Sequence, residues 1–409
     1  MQKIEIEKNI YGLIANLPPQ HNGQPTLFEG LWEIPNGVSI NAYAIKADKI
    51  ALIDNIENFD DFPQQYENLL AGIGIVANKI DYLILNHLEP DHTGYLGRFA
   101  AKNPQLKIYC TAKAVSLLKN FYGIEPNQIV AVKTGDELDL GGRKLVFYEA
   151  PNVHWPETMV TFESNSGILF SCDAFGSFGK VEAAKAFADQ NTIEELQLYQ
   201  AETIRYYANI VASFSSFVKK ALSSLNGLPL KVIAPSHGLL WRGDVSPIIN
   251  LYQNLADYAE NGGEEAVTLV WGSMYGNTAM AIDIIRQTVA ESDLKLYEHR
   301  LPGSSSLPLA HVYYSKGLIL AMPTYEYKMF PPIAHFINDL KIKHIKNKQV
   351  LRLGGYGWVG GAERDFRAAT ESAGWQIAPS IEWPGQPTAE VKAQISEAVR
   401  QLIKQIKGN

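Results

Sequence analysis

The residues best suited to chemistry lie in the sequence Asn-His-Leu-Glu-Pro-Asp-His-Thr, which contains four candidate metal ligands: His87, Glu89, Asp91 and His92. It follows the apolar run 82–85, which predicts a buried strand that ends in a loop at the rim of a sheet. Alternate side chains of an extended loop point the same way, so we expect the first three ligands to converge with the fourth beside them. Neutral imidazole and ionised carboxylate together suit zinc, iron or manganese, and a set this dense can hold two ions. The alternative interpretation is an ordinary solvated polar loop.

Three more candidate ligands, His154, Asp173 and His237, each follow an apolar run in the same half of the chain. Strand ends that meet at one edge of a β-sandwich would bring them to the first four. Two metal ions in one site repel each other, and a shared carboxylate offsets that repulsion, so Asp173 is the candidate bridge. Taken singly, each residue has a structural alternative, either a hydrogen-bonded core histidine or an aspartate in a turn. We interpret the remaining histidines as structural: His21, His299, His311, His335 and His344.

A second candidate site lies in the sequence Trp-Gly-Ser-Met-Tyr-Gly-Asn-Thr, which joins a predicted strand to a predicted helix. Hydroxyl groups and the N–H groups of a helix N-terminus form a cradle for phosphate, and a glycine lets the backbone approach the anion. The sequence matches neither the dinucleotide fingerprint nor the P-loop, so a dinucleotide or a nucleoside triphosphate is disfavoured. A single phosphate without a lysine or magnesium site favours FMN, and the alternative is an ordinary polar turn. The predicted phosphate-binding residues are Ser273, Met274, Tyr275, Gly276, Asn277 and Thr278.

Two further loops, 323–327 and 354–361, follow predicted strands and combine aromatic residues with glycine or proline. Aromatic side chains give a flat ring a surface to stack on, and the backbone of such loops offers hydrogen bonds to its polar edge. The alternative is that these are ordinary surface aromatics. The predicted ring-binding residues are Pro323, Thr324, Tyr325, Glu326, Gly355, Tyr356, Gly357, Trp358 and Gly360.

The arrangement of elements changes at the short polar link 257–265, which contains Gly-Gly. We therefore predict two domains, 1–260 and 261–409. In the first, strands and hairpins are interspersed with helices, and a long helical stretch is predicted at 193–225. In the second, strands predicted at 266–271, 317–321 and 349–353 alternate with helices at 278–291, 333–340, 362–373 and 389–406. That alternation predicts a parallel sheet covered on both faces.

Composition sets limits on the environment and the partners. The 409 residues are 46% hydrophobic and 19% charged, as in an ordinary globular protein of two or three domains. The net charge of −7 and the lack of Lys/Arg runs disfavour nucleic acid as a partner. The 2 cysteines lie in apolar runs and predict free buried thiols in a reducing compartment. Without a signal peptide or an apolar run long enough for a membrane span, we expect a cytoplasmic protein that does not bind membranes.

The set of ligands resembles the metallo-β-lactamase fold. Most hydrolases of that fold have histidine at the position of Glu89, and glutamate there is similar to the flavodiiron proteins (A-type flavoproteins), whose site holds two irons. The sequences Asn-Val-His-Trp-Pro-Glu around His154 and Pro-Ser-His-Gly around His237 fit the same family. The resemblance implies two irons and a bridge, with His87, Glu89 and His154 for one iron, Asp91, His92 and His237 for the other, and Asp173 between them.

The second half resembles the flavodoxin module of the same family, so the resemblance covers nearly the whole chain in the family's domain order. It implies an α+β metallo-β-lactamase-like αββα sandwich at 1–260 and an α/β flavodoxin-like, doubly wound parallel sheet at 261–409. The chain contains no CxxC pair. We therefore expect the minimal two-domain form, without a fused rubredoxin or flavin-reductase domain.

The implied activity is reduction of O2 to water, of NO to N2O, or both, by FMN and a di-iron centre, in protection against oxygen or nitrosative stress. Tyr206 or Tyr207 could lie beside the irons and contribute a proton. The family also implies an external electron donor, such as rubredoxin, its reductase or a reduced deazaflavin, and a head-to-tail homodimer or a dimer of dimers. Two other hypotheses remain open: a binuclear zinc hydrolase fused to a flavodoxin, and a flavin electron carrier with a vestigial metal site. Glu89 and the fused redox module weigh against the first, and the full ligand set weighs against the second.

Overall fold

The computed structural model describes residues 1–408, and the chain divides into two compact units. Unit 1 comprises Met1–Tyr206 and Ser216–Gln253, and unit 2 comprises Tyr207–Ser215 and the residues from Asn254 onward. Unit 2 therefore takes a short internal segment from the middle of the chain. Its main part begins within the helix Ser246–Asn261, which extends over the first residues of the predicted polar link.

Unit 1 is built on two mixed sheets. Its strands are β1 Gln2–Glu7, β2 Ile10–Leu17, β3 Gln20–His21, β4 Gln24–Pro25, β5 Leu27–Phe28, β6 Trp32–Glu33, β7 Val38–Lys46, β8 Ile50–Ile53, β9 Tyr82–Ile84, β10 Lys107–Thr111, β11 Ile129–Val132, β12 Glu137–Asp139, β13 Lys144–Glu149, β14 Met159–Glu163, β15 Ile168–Cys172, β16 Val232–Pro235 and β17 Trp241–Arg242. The first sheet has the order β1-β2-β7-β8-β9-β10-β11, and the second has the order β12-β13-β14-β15-β16-β17. The predicted hairpin β7–β8 and the predicted edge strand β1 are both present.

The two sheets pack face to face around one apolar core. Tyr43 and Ile84 from the first sheet share that core with Phe147 and Phe170 from the second, and the rings of Tyr43 and Phe170 lie 4.9 Å apart. The helices of this part of the chain are α1 Phe62–Gly72, α2 Pro90–Thr93, α3 Leu96–Ala101, α4 Ala114–Tyr122, α5 Ile193–Tyr206, α6 Ser215–Leu225 and α7 Ser246–Asn261. The predicted sandwich with helices outside two sheets is confirmed.

Unit 2 has one main sheet, in which every strand pairing is parallel, and a separate two-stranded antiparallel sheet of its fourth and fifth strands. Its strands are β18 Glu264–Trp271, β19 Lys295–Arg300, β20 Ser315–Ala321, β21 Thr324–Tyr325, β22 Lys328–Met329, β23 Gln349–Tyr356, β24 Gln376–Ile377 and β25 Ile381–Pro384. Its helices are α8 Ile282–Ala290, α9 Ser306–Tyr314, α10 Pro331–Ile342, α11 Ala362–Thr370 and α12 Ala389–Ile406. The order β19-β18-β20-β23-β24 is that of flavodoxin-like folds, with β25 also pairing with β23.

Helices cover both faces of this sheet, as the alternation of elements predicts. On one face, Ile285 of α8 and Val399 of α12 pack with Leu269 of β18. On the other, the hydroxyl of Thr268 donates to the carbonyl of His311 in α9 at 2.8 Å. The strand ends where β18, β20 and β23 give way to loops therefore lie at one edge of a fully covered sheet.

The long helical stretch predicted at 193–225 is confirmed, but it is not one continuous α-helix. The helix ends at Tyr206, a π-helical turn covers Tyr207–Val211, and a 3₁₀ turn precedes α6. All five residues of the π-helical turn are buried, and within unit 2 the amide of Asn209 donates to the carbonyl of Ser306. A segment that is buried on every side has no amphipathic pattern, so periodicity cannot reveal where its hydrogen bonding changes.

Several elements of unit 2 have no predicted counterpart, and two of them, a strand and a helix, show the reason. β19 is an edge strand with the polar sequence Lys-Leu-Tyr-Glu-His-Arg, which lacks an apolar run. α9 is buried on nearly all sides, so it lacks the alternation of polar and apolar faces by which a surface helix is recognised.

Candidate metal centre and aromatic pocket

The loop after β9 turns into a short helix in the middle of the first ligand sequence. Glu89 has extended backbone (φ −62°, ψ 142°), and Pro90 then begins α2, because its fixed φ suits the first turn of a helix. Asp91 and His92 are therefore helical. The predicted alternation of His87, Glu89 and Asp91 along one extended loop is wrong in this respect, and the turn divides the four ligands into two pairs.

The seven predicted metal ligands form two groups at the rim of unit 1, called the metal groups below. In each group, one ligand atom from every member lies within 4.8 Å of the others. Six of the seven side chains are buried, and that of Glu89 is 12% exposed. The first group is His87, Glu89, His154 and Asp173, and the second is Asp91, His92 and His237.

Asp173 lies between the two groups. Its Oδ2 is 3.2 Å from Nε2 of His154 and 3.5 Å from Nε2 of His87. Its Oδ1 is 2.9 Å from Nε2 of His92 and 3.4 Å from Nε2 of His237. One carboxylate therefore presents a different oxygen to each group, which is the arrangement that a bridging ligand requires.

Hydrogen bonds from outside the groups orient two of the histidines. His87 Nδ1 lies 2.9 Å from Oε1 of Glu157, and His237 Nδ1 donates to the carbonyl of Ser39 at 2.7 Å. In both rings Nε2 is then the atom that faces the group, because a hydrogen bond to one ring nitrogen leaves the other for the metal. Sequence reasoning missed Glu157 and Ser39. For Glu157 the signal was its position in His-Trp-Pro-Glu, whereas Ser39 contributes a carbonyl group, which any residue could supply.

The three predicted loops of unit 2 line a single pocket of about 200 Å³ at the ends of β18, β20 and β23. Tyr327 and Val359, which lie in two of these loops but were not among the predicted ring-binding residues, also line it. The thirteen predicted residues that line the pocket are Ser273, Met274, Tyr275, Asn277, Thr278, Pro323, Thr324, Tyr325, Glu326, Gly355, Tyr356, Gly357 and Trp358.

Two predicted glycines shape the loops without lining the pocket. Gly276 has φ +89°, and its N–H donates to the hydroxyl of Ser273 at 3.1 Å, which closes the turn before the helix. Gly360 lies at the far end of its loop, where a Cβ would come within 3.0 Å of Oε2 of Glu382. Both glycines therefore shape the backbone of their loops and do not line the pocket themselves.

Comparisons with known proteins cover most of the chain. The model of a family described as ODP family beta lactamase matches residues 38–238. The chain is 34% identical to the anaerobic nitric oxide reductase flavorubredoxin of Aeromonas hydrophila, over 90% of this chain and 74% of the relative. It is 33% identical to the protein of the same name from Escherichia coli, over 90% of this chain and 76% of the relative. The chain belongs to the flavodiiron protein family.

Solved structures match this flavodiiron protein along nearly its whole length. The flavodiiron protein of Giardia intestinalis superposes with a TM-score of 0.91 at 25% identity, covering 100% of this chain and 97% of the other. A flavo di-iron protein variant from Thermotoga maritima gives 0.87 at 27% identity, covering 99% and 98%. The predicted fold class is thereby confirmed, and the protein is an oxidoreductase. Among residues 1–408, no helix combines the length and the apolar character that crossing a bilayer requires.

The charges of the metal groups compensate one another in this flavodiiron protein. Burial by itself lowers the pKa of His154, but contacts with Asp173 and Glu89 outweigh it and raise the pKa to about 9. Burial likewise opposes protonation of His237, and Asp173 and Asp91 raise its pKa to about 10. In Asp173, burial favours the neutral acid, yet the surrounding histidines hold the pKa well below its usual value. Without metal, the histidines are therefore protonated and the bridging carboxylate is ionised.

Several atoms of these groups are buried without a hydrogen-bond partner among residues 1–408. They include both carboxylate oxygens of Asp91 and Nε2 of His237. Oδ2 of Asp91 lies 3.2 Å from that Nε2, but the two atoms do not have hydrogen-bond geometry. Buried polar atoms without partners are costly, and coordination to a metal ion would satisfy them. In the pocket, the hydroxyl oxygen of Thr278 is buried and lacks a partner in the same way. Both sites therefore fit the groups that the family implies.

The two candidate tyrosines have different surroundings. Tyr206 is fully buried in unit 1, its ring lies 5.5 Å from that of His237, and its hydroxyl has no hydrogen-bond partner among residues 1–408. The hydroxyl of Tyr207 lies 3.0 Å from Oγ of Ser215, within unit 2. Tyr206 therefore lies against a histidine of the second metal group.

A further carboxyl group lies near the second metal group. Burial raises the pKa of Glu57, and repulsion from Asp91 adds to that effect, giving a pKa of about 7. Glu57 can therefore hold a proton near the site at neutral pH. No sequence pattern singles it out, because it lies in an irregular loop between β8 and α1.

The five histidines interpreted as structural take no part in either metal group. His299 and His311 contact each other at 2.8 Å in unit 2, and His21 lies against the ring of Phe59 in unit 1. Both cysteines, Cys110 and Cys172, are free and buried, as composition predicts.

Proposed function

We propose that this flavodiiron protein reduces nitric oxide, molecular oxygen or both, at a di-iron centre supplied with electrons by FMN. The observation that carries the proposal is the position of Asp173, with one carboxylate oxygen toward each of two histidine–carboxylate groups. The relatives named anaerobic nitric oxide reductase flavorubredoxin support the NO reaction. The products would be N2O from NO and water from O2.

The proposed ligands follow the two groups. One iron would be held by His87, Glu89 and His154, the other by Asp91, His92 and His237, and Asp173 would bridge them. Imidazole and carboxylate ligands suit iron in non-haem sites that react with small gases. Glu157 and the carbonyl of Ser39 would keep the rings of His87 and His237 turned toward the metal.

The proposed flavin site is the aromatic pocket of unit 2. The hydroxyls of Ser273 and Thr278 would face the phosphate, and the aromatic side chains of Tyr325, Tyr356 and Trp358 would lie against the ring. The remaining residues of the three loops, including Gly276 and Gly360, would set the backbone path. When bound, FMN supplies electrons one at a time or in pairs, and the irons supply coordination positions for the gas.

The reaction consumes protons, and the chain has two groups placed to help. The hydroxyl of Tyr206 is buried beside His237 without a competing partner, so it is free to donate a hydrogen bond into the site. Glu57, with its raised pKa, can hold a proton near Asp91. We assign Tyr206, rather than Tyr207, as the tyrosine of the site.

We further propose domain limits of 1–260 for the di-iron part and 261–409 for the FMN part, and a cytoplasmic location. An external carrier, such as rubredoxin, its reductase or a reduced deazaflavin, would supply electrons. The working form would be a head-to-tail homodimer or a dimer of dimers. Both units carry exposed apolar side chains that a partner could cover: Leu31 of unit 1 is 67% exposed, and Tyr275 of unit 2 is 90% exposed.

The test compares three proteins grown with ample iron and zinc: wild type, H87A and H335A. Wild type should contain about two irons and about one FMN per chain and should reduce at least one of the two gases under the same reductant. H87A should lose iron and turnover while keeping FMN, because the pocket lies in the other unit. H335A is the matched control, since His335 is 78% exposed and outside both sites, and it should behave as wild type.

Two results would overturn the proposal. Zinc in place of iron, with no gas turnover, would favour a binuclear hydrolase. Flavin reduction and reoxidation that proceed at the same rate in H87A and wild type would favour an electron carrier that does not use the metal groups.

A further inference from the structure

A buried ion pair lies behind the glycine-rich loop that lines the aromatic pocket. Arg352 of β23 is fully buried, and its Nη1 donates to Oε1 of Glu382 at 2.6 Å. Glu382 lies on β25, in register with Gly354 of β23. The other guanidinium nitrogens, Nε and Nη2, have no hydrogen-bond partner among residues 1–408. Because arginine stays charged in proteins, this buried cation depends on the carboxylate of Glu382.

A second carboxylate nearby has its own cation. Glu363 of α11 accepts a hydrogen bond from Nε of Arg367 at 2.7 Å. That leaves Glu382 as the carboxylate hydrogen-bonded to Arg352.

The other carboxylate oxygen of Glu382, Oε2, lies close to the end of the pocket loop. A Cβ on Gly360 would lie 3.0 Å from Oε2 of Glu382 and 3.7 Å from Cδ1 of Tyr356, which lines the pocket. The next residue, Gly361, has φ +149°, and its Cβ would lie 2.5 Å from the carbonyl oxygen of Tyr327 on the neighbouring loop. The end of the loop therefore runs between a carboxylate and a backbone carbonyl, with no room for larger residues.

This arrangement places a negative charge directly behind the pocket wall. An unpaired carboxylate there would repel negative charge entering the pocket, and the low dielectric of a partly buried site would strengthen the repulsion. Arg352 removes most of that effect by pairing with Glu382. The ring of a bound flavin carries more negative charge after reduction than before it. The Arg352–Glu382 pair therefore affects the binding of reduced FMN more than the binding of oxidised FMN.

We propose that Arg352 and Glu382 are positioning residues that set how tightly the pocket binds reduced FMN relative to oxidised FMN. Arg352 neutralises Glu382, whose carboxylate lies close to Gly360 at the end of the aromatic loop. This inference rests on the proposed FMN site.

The test is a double-mutant cycle on the isolated FMN-loaded protein, read by the flavin midpoint potential and by the dissociation constant of oxidised FMN. R352M leaves Glu382 unpaired, so binding of reduced FMN should weaken relative to oxidised FMN by about three- to tenfold, and the potential should fall. E382Q leaves the cation unpaired, so the ratio should shift in the opposite direction and the potential should rise. The double variant R352M/E382Q should return close to wild type.

Two further variants serve as controls. R352K keeps the positive charge and should keep most of the wild-type ratio. E363Q removes a neighbouring carboxylate that is paired with Arg367, and it should change the potential less than E382Q does.

A purely structural pair would weaken both redox forms of FMN equally and would leave the potential unchanged. That result, or shifts of the same sign in R352M and E382Q, would overturn the inference. If R352M fails to fold, E382Q decides alone, because the Glu382 side chain is 23% exposed and its amide is nearly isosteric. If wild-type protein binds no FMN, the proposed function fails instead, so the two failures can be told apart.

Discussion

At the scale of single residues, the histidines of the two metal groups are protonated at neutral pH when no metal is bound. The pKa of His154 is raised to about 9 and that of His237 to about 10, whereas an unperturbed histidine has a pKa of about 6.5. In metal-free protein these raised values contribute stability that is fully present below about pH 6.5 and is lost as the pH rises through 9 and 10. Metal ions bind only the neutral ring, so binding near neutral pH must release these protons.

We therefore expect ferrous or zinc ions added to metal-free protein at pH 7 to acidify a weakly buffered solution. The release should decline as the pH is raised through 9 and 10, and apparent metal affinity should increase over the same range. The absorbance of a pH indicator dye during an anaerobic titration with metal measures the proton release, and H335A is the control protein. Metal binding at pH 7 without proton release would mean that these histidines are already neutral in the metal-free protein.

The two neighbouring tyrosines allow a matched comparison of function and stability. Y206F removes a buried hydroxyl that has no partner, so thermal stability should be unchanged or higher, whereas gas turnover should fall by about tenfold or more. Y207F breaks the contact with Ser215 and should cost about 1 kcal/mol of stability with turnover nearly retained. Thermal unfolding and steady-state turnover of both variants measure this. The opposite pattern would assign the role to Tyr207.

At the scale of elements, the turn after β16 determines where His237 is placed. Gly238 has φ +76°, its N–H donates to Oγ of Ser39 at 2.8 Å, and a Cβ there would lie 2.0 Å from Oγ of Ser177. Neither the conformation nor the space admits a side chain. The turn can therefore hold the imidazole in place only with glycine at this position.

G238A should lower the apparent melting temperature and reduce the metal content, because both strain and collision act next to a ligand. G227A is the matched control: Gly227 has φ +89° with nothing within 4 Å, so it tests strain alone and should cost about 1 kcal/mol. Its metal content should equal that of wild type. If G238A and G227A had equal effects on the melting temperature and on the metal content, the collision with Ser177 would be relieved without moving His237.

At the scale of the whole molecule, the proposed electron path joins two sites that lie in different units. We expect a head-to-tail dimer in which each FMN serves the di-iron centre of the partner chain. H87A chains keep FMN but lack a working metal site. T278E chains place a charge against the FMN phosphate and should bind FMN at least about tenfold more weakly while keeping iron.

Mixing H87A and T278E chains under conditions that exchange subunits should restore part of the turnover, because the mixed dimer pairs one FMN with one intact metal site. Native mass spectrometry shows whether mixed dimers form. If they form and turnover stays absent, electrons pass within one chain. T278S, which keeps the hydroxyl, should bind FMN as wild type does and serves as the control for the substitution at this position.

Much of the fold and of both sites follows from local sequence. The apolar run before His87 and the strand–helix alternation after residue 261 are patterns over a few residues, and such patterns reflect backbone periodicity and burial directly. The same holds for the glycine and hydroxyl residues of the phosphate loop. Hence the ligand types, the parallel sheet and the three pocket loops were all predictable without a structure.

Tertiary structure alone decided how these parts pair. Asp173 meets His92 across 81 residues of chain, and His87 meets Glu157 across 70, so local spacing cannot specify either contact. The π-helical turn after Tyr206 lies where the chain is buried on all sides, so periodicity carries no signal there. The pairing of Arg352 with Glu382 joins two strands across 30 residues of chain, which local spacing cannot specify either. The sequence therefore determines which chemical groups reach the rims of the sheets, and long-range packing determines which of them face one another.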